Sequence, residues 1–134
     1  MTKLHELRLR VVMADVDAAS ILYFATPYRW QELLFTSWMH AIGHPVSGLL
    51  GSGRGCPAVH SSCTYTRPLR LDDFVRCELW CDEVGRSSFA VALRGYEEAS
   101  GELAVETATR HVWVVDGAST PMPGWLRSAL SGAR

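Results

Sequence analysis

The stretch Pro27-Tyr28-Arg29-Trp30-Gln31-Glu32-Leu33-Leu34-Phe35-Thr36-Ser37-Trp38-Met39-His40-Ala41-Ile42 decides the fold. Apolar residues at Trp30, Leu33, Leu34, Trp38 and Ala41 recur at helical spacing, Pro27 is tolerated in a first turn, and Gly43 supplies a stop. The spacing predicts a helix of about 16 residues, near 25 Å long. Tyr28, Phe35 and Trp38 stand on more than one side of it, so its apolar coverage is wider than that of a surface helix. Something must wrap it.

The flanking sequence supplies the wrapping. Downstream, Ala58 to Arg67, Phe74 to Val84, Ser87 to Tyr96 and Leu103 to Val115 alternate in strand fashion, separated by Pro68, Gly85-Arg86 and Ala99-Ser100-Gly101. Upstream, Leu4 to Val12 reads as one more strand. The expectation is an α+β chain in the order β-α-β-β-β-β, with one antiparallel sheet of about five strands curled around a long central helix. His44 to Gly55 is rich in Gly, Ser and Pro and lacks periodicity, so it reads as a loop and a candidate pocket lid. Pro121, Pro123 and Gly124 are read as ending regular structure, with a short flexible tail from about residue 120. At 134 residues, 48% of them apolar, the chain is read as a single domain over 1–134.

Thirteen Lys and Arg stand against fourteen Asp and Glu with no run of one sign. This disfavours a grip on nucleic acid or on a membrane surface and points to a small partner. Met1 to Glu6 lacks the apolar core of a signal peptide, and no apolar run approaches the roughly 20 residues that span a bilayer, so a cytoplasmic location is expected. Cys56, Cys63, Cys77 and Cys81 fall in strand-like stretches and are read as reduced core thiols. Cys77 and Cys81 would lie roughly 13 Å apart along one strand, too far for a shared metal or a disulfide. No metal is expected.

Just ahead of the helix stand Asp15 and Asp17. A carboxylate at the mouth of a helix N-terminus, beside free backbone N–H groups, can serve as nucleophile or base. The same pair also reads as turn or capping carboxylates. The run Asp15-x-Asp17-Ala18-Ala19-x-Ile21-x-Tyr23-Phe24, followed by Tyr28-Arg29-Trp30-Gln31-Glu32, resembles the opening of the 4-hydroxybenzoyl-CoA thioesterase family. Pro68-Leu69-x-x-Asp72-Asp73 and Gly85-Arg86-Ser87-Ser88-Phe89 look like secondary signatures, and the resemblance runs from about Leu7 to Val115.

The resemblance implies the hotdog fold and hydrolysis of an acyl-CoA, with an aromatic acyl group such as 4-hydroxybenzoyl or 1,4-dihydroxy-2-naphthoyl expected. By position it makes Asp17 the catalytic carboxylate and the backbone N–H of Phe24 the oxyanion donor, with Tyr23 shaping the acyl slot and Asp15 bracing the loop. Glu32 is read as a substrate-orienting acid, or else as a solvated helix acid paired with Arg29. His60 is a candidate polar wall of the acyl pocket, or a sheet histidine; His111 and Trp113 are assigned to packing. Arg86 matches one member of a basic cluster for the nucleotide phosphates, with Arg54, Arg67 or Arg70 as substitutes.

Ser20 stands where the family usually has glycine, in a loop suited to positive φ. Two other readings stay open: a thioesterase acting on carrier-protein-bound acyl groups, and a non-catalytic acyl-thioester binding module. A hotdog hydratase would need a histidine working with its aspartate, and none occurs from Met13 to Met39. Coenzyme A is part of the substrate, so no cofactor is expected. Exposed strand edges, as in the family, lead to an expected homodimer or homotetramer.

Overall fold

A computed structural model describes residues 1–132. The predicted central helix is α1, Thr26–Ala41, and Trp30, Gln31, Leu34, Phe35, Trp38 and Met39 are buried along it. It stops where the sequence predicts. Gly43 takes φ +88°, the His44 N–H donates to the Met39 carbonyl at 3.0 Å, and the Gly43 N–H donates to His40 at 3.1 Å. This pair of bonds satisfies carbonyls that the helix end would otherwise orphan, and it needs a residue free of the Cβ clash at positive φ.

The strands are β1 (Thr2–Arg10), β2 (Arg54–Gly55), β3 (Ala58–Tyr65), β4 (Phe74–Val84), β5 (Ser88–Glu97), β6 (Leu103–Val112), β7 (Val114–Val115) and β8 (Ala118–Ser119). Five of them form one antiparallel sheet, as expected, in the spatial order β1-β4-β5-β6-β3, while β2, β7 and β8 form a small second sheet. The inner faces of β4, β5 and β6 carry Val75, Cys77, Leu79, Val91, Leu93 and Val105 against α1, all essentially solvent-free. Alternation along each strand puts those residues on the helix side, and the sheet's twist lets it curl around α1. All four cysteines are free thiols, with Cys77 and Cys81 buried. Burial pushes the Cys77 thiol up to about 12, which keeps it protonated and inert.

β3 is unlike the others. Like β1 at the opposite edge it has a single neighbour, here β6, but seven of its eight residues are exposed. Val59 and Tyr65 are among the exposed large side chains.

Three segments depart from the sequence reading. The stretch from His44 to Gly55 holds a helix, α2 (Val46–Gly51), in place of a loop, and Leu49 anchors it in the core. With few apolar residues in a Gly- and Ser-rich run, its periodicity is too short to register. Beyond Pro121, the chain expected to be a flexible tail forms α3 (Gly124–Leu130), with Leu126 and Leu130 buried. Trp125 stacks on His44 at 3.6 Å between ring centroids and meets Trp113 edge-on at 5.8 Å. Pro123 is the residue that starts this helix, a role proline fills as readily as it stops one. Finally, the long last strand breaks at Trp113, whose N–H donates to the Ser87 carbonyl at 2.8 Å.

Candidate active site

The loop between β1 and α1 is fixed from within. Asp15 is buried, and its Oδ2 accepts the Val12 N–H at 2.9 Å while Oδ1 meets the Arg29 guanidinium. Its carbonyl takes the Tyr23 N–H at 2.8 Å and the Thr26 hydroxyl at 3.0 Å. Asp15 is thus the brace that the sequence suggests, and Arg29 pairs with it, not with Glu32. Between these anchors, Val16 bridges to Leu22 and the Asp17 N–H donates to Ile21 at 3.0 Å, closing a tight loop. The Asp17 side chain projects from that loop, exposed, with Oδ1 accepting the Ala19 N–H at 2.8 Å. Its other oxygen has no partner among the described residues.

Ser20 sits at φ +66°, the left-handed region that the sequence comparison with glycine anticipates. An L-residue there carries roughly 1 kcal/mol of strain, partly offset by the lower backbone entropy of a non-glycine unfolded chain. Ser20→Gly is therefore expected to raise stability by about 0.5 kcal/mol, read as a rise of about 2 °C in Tm.

Phe24 closes the loop onto α1. Its ring is 62% exposed and packs on Tyr23 at 4.7 Å, while its carbonyl accepts the Tyr65 hydroxyl of β3. The Phe24 N–H donates to no group among the described residues. A free N–H ahead of the first helical turn, where the peptide dipoles point their positive end, is a site for developing negative charge.

Farther along, α1 lines a cavity of about 830 Å³ on its Tyr28, Gln31, Glu32, Phe35, Thr36 and Met39 face; Asp17, Tyr23 and Phe24 are not among its lining residues. Opposite stand Ser61 of β3, Thr109 and His111 of β6, and Leu49 and Leu50 of α2. Its volume suits a small organic ligand, and its lining is chiefly apolar with a few placed polar groups. One group is Gln31, whose Oε1 is met by the Thr107 and Thr109 hydroxyls. Another is His111, its ring near-parallel to those of Phe35, 5.0 Å away, and Phe89, 5.3 Å away, the three rings forming one cluster.

The His111 Nδ1 donates to the Cys56 carbonyl at 2.9 Å, which leaves Nε2 as an unpartnered acceptor among the described residues. Burial pushes the His111 pKa down, against a smaller upward pull from the Cys56 carbonyl. In the unfolded chain the group returns to about 6.5, so below that pH the unfolded state takes up a proton that the folded state refuses. Stability then falls as pH drops from about 6.5 toward the folded pKa, with a slope of up to about 1.4 kcal/mol per pH unit. Urea midpoints taken at neutral pH and near pH 5 are expected to fall less for His111→Phe than for the wild type.

The structure brings Asp17, Tyr23 and Phe24 together on one loop and sets Glu32 on the cavity wall. It does not bring His60 or Arg86 to them within the chain. The strand pleat turns Ser61 toward the cavity, and His60 is not among its lining residues. Arg86 lies in the turn between β4 and β5, at the far end of β4 from the Arg10–Phe74 pair that leads into the Asp17 loop. The sequence reading missed Gln31, Ser61, Thr107 and Thr109. Their signal was a glutamine on the apolar face of a helix and two threonines spaced by two on an inward strand face. Among the described residues, no cluster of His, Cys, Asp and Glu is arranged to hold a metal ion, and no helix is long and apolar enough to cross a membrane.

Comparison with known proteins gives this geometry a family. The thioesterase superfamily profile matches residues 19–104. A 1,4-dihydroxy-2-naphthoyl-CoA hydrolase of Picosynechococcus is 30% identical over 110 residues, covering 78% of this chain and 75% of that protein. A putative esterase of Aquifex aeolicus is 26% identical over 117 residues, covering 87% of this chain and 89% of that one. Among solved structures, a gentisyl-coenzyme A thioesterase superposes with a TM-score of 0.82 at 26% identity, covering 92% of this chain and 98% of that chain. A 1,4-dihydroxy-2-naphthoyl-CoA thioesterase from Synechocystis shares the fold with a TM-score of 0.87 at 20% identity, covering 95% of each chain. With the profile spanning well over half its length, and with a sheet curled around one long helix, the chain belongs to the thioesterase superfamily and is a hotdog-fold thioester hydrolase.

Proposed function

We propose that the substrate is an acyl-CoA with an aromatic acyl group, hydrolysed by the Asp17 carboxylate with the Phe24 N–H as oxyanion donor. The observation that carries this reading is the pairing, on one braced loop, of an exposed carboxylate and a partnerless N–H. In one route an Asp17 oxygen attacks the thioester carbonyl, the carbonyl oxygen becomes an oxyanion facing the Phe24 N–H, and collapse expels the coenzyme A thiolate. The mixed anhydride left on Asp17 is then cleaved by water. In the other route Asp17 takes a proton from the water that attacks directly. Both need the same two groups.

The apolar cavity along α1 receives the ring, with Glu32 on its wall as an orienting acid, and Tyr23, outside that lining, is assigned to the entry of the slot by its place beside Phe24. The names of the similar proteins, a dihydroxynaphthoyl-CoA hydrolase and a gentisyl-CoA thioesterase, support an aromatic acyl group. No metal or organic cofactor enters either route. The functional unit in this reading is a cytoplasmic dimer, or a pair of dimers, joined through the exposed β3 edge. Antiparallel pairing there would carry Arg86 of one protomer from its remote turn toward the Asp17 end of its partner, where it meets coenzyme A phosphates, and His60 would lie near the junction.

The test is thiol release from a panel of aryl, fatty acyl and carrier-protein thioesters. Release from aryl-CoA substrates over fatty ones is the expected result. Turnover confined to carrier-protein thioesters would overturn the acyl-CoA assignment, and silence on the whole panel would leave an acyl-thioester binding module.

A further inference from the structure

The polar group at the floor of the cavity has a fixed direction. Leu93 donates its N–H to the Thr107 Oγ1 at 3.1 Å, so the Thr107 hydroxyl proton is left for the Gln31 Oε1. Thr109 donates to the same oxygen at 2.9 Å, and its own Oγ1 accepts from Ser61 at 2.7 Å. The atom they meet is the amide oxygen: a nitrogen there could donate to both hydroxyl oxygens, but the hydrogen of the solvent-free Thr107 hydroxyl would then have no acceptor among the described residues. The Gln31 nitrogen, with two hydrogens, is thereby turned the other way.

That nitrogen has no acceptor among the described residues. Gln31 is 6% exposed and lines the cavity. Among the described residues the only sealed and unpartnered side-chain nitrogens or oxygens are Arg94 Nη1 and His111 Nε2. The Gln31 Nε2 is therefore open to the cavity and not enclosed by protein. A buried amide held by two hydroxyl groups, with its donors idle in a chiefly apolar chamber, is arranged for a ligand atom. Thr107 also serves the sheet by accepting the buried Leu93 N–H, whereas a leucine at Gln31 would fill the helix position with no amide to satisfy.

We propose that Gln31 is the specificity-determining residue of this enzyme, and that its amide donates to an acceptor oxygen, phenolic or keto, carried by the acyl group at a distance from the thioester. Resting on the cavity as the acyl site, this inference deepens the proposed function. Gln31 stands five residues into α1, about 7 Å along the axis from Thr26, so the oxygen it reads lies on the far side of the acyl group from the reacting carbonyl. Ser61, Thr107 and Thr109 act through Gln31 as positioning residues.

The experiment compares kcat/KM for benzoyl-CoA with that for its 3-hydroxy and 4-hydroxy derivatives and for a keto-bearing aryl acyl-CoA, in the wild type, Gln31→Glu and Gln31→Leu. Glutamate keeps an oxygen for both threonines and replaces the cavity-facing donor by an acceptor of nearly the same shape. The wild type is expected to favour the best-placed oxygenated substrate by about tenfold or more over benzoyl-CoA. Gln31→Glu is expected to abolish that preference and to lose most against the keto substrate, which can only accept. Gln31→Leu, with folding checked by thermal melting, is expected to bring the ratio near one. Turnover of the panel with no preference in the wild type, or with a ratio unmoved in Gln31→Glu, overturns the role of Gln31 and leaves the thioesterase reading standing. Absence of thiol release from every substrate by the wild type overturns both.

Discussion

Asp17→Asn is expected to slow thiol release by roughly 10³-fold or more, about 4 kcal/mol of transition-state stabilisation, while the protein stays folded. The argument is local. Asp17 is exposed, its Oδ1 accepts only the Ala19 N–H at 2.8 Å, and an asparagine oxygen can accept the same bond. The loop conformation therefore survives, and stability is expected to stay within about 0.5 kcal/mol of the wild type. The amide lacks both the nucleophilic oxygen and the basic lone pair that the two routes share. Thiol release and a thermal melt on the same preparation separate the two effects. Turnover retained within tenfold of the wild type would move the chemistry to another acid, and Glu32, which lines the cavity, is the next to test.

Asp15→Ala is expected to lower stability by about 2–3 kcal/mol and to take activity with it. Its carboxylate is buried and holds the Val12 N–H at 2.9 Å, a charge-assisted bond whose loss leaves a donor without its partner. The Arg29 contact adds little to that figure, because the guanidinium is 59% exposed and screened by water. For a chain of this size the loss corresponds to about 10 °C in Tm. Activity falls for a separate reason: Asp15 ties the end of β1 to the first turn of α1, and so sets where Asp17 and the Phe24 N–H stand relative to each other. Asp15→Asn keeps an acceptor for Val12 and is expected to recover most of the stability, which a urea titration of the three proteins would read directly.

The fold was legible because its two periods are long and clean. A helix-spaced face through Trp30, Leu34 and Trp38 and a set of alternating strands leave one economical packing, and the five-stranded antiparallel sheet and the α1 bounds follow it closely, while Leu33 and Ala41 of the same spacing lie exposed. The Asp15–Asp17 loop was legible through its motif, and Ser20 through the absence of the glycine that its backbone wants. What stayed hidden is tertiary. Gln31 reads as an ordinary helix residue until β6 brings Thr107 and Thr109 beneath it, and nothing in a linear sequence announces a bond across 76 or 78 positions. The C-terminal helix was hidden by Pro123 and Gly124, whose composition marks a turn whether a helix begins or ends there.

The uncovered β3 edge has a consequence for anyone who handles the protein. A strand with one side of its backbone unpaired and apolar side chains such as Val59 facing out is a template for a second strand, and in the proposed dimer the stability gained there follows mass action. Specific activity and melting temperature would then both decline on dilution and recover on concentration. A rate measured at nanomolar enzyme would describe a different population from the one that fills a concentrated stock.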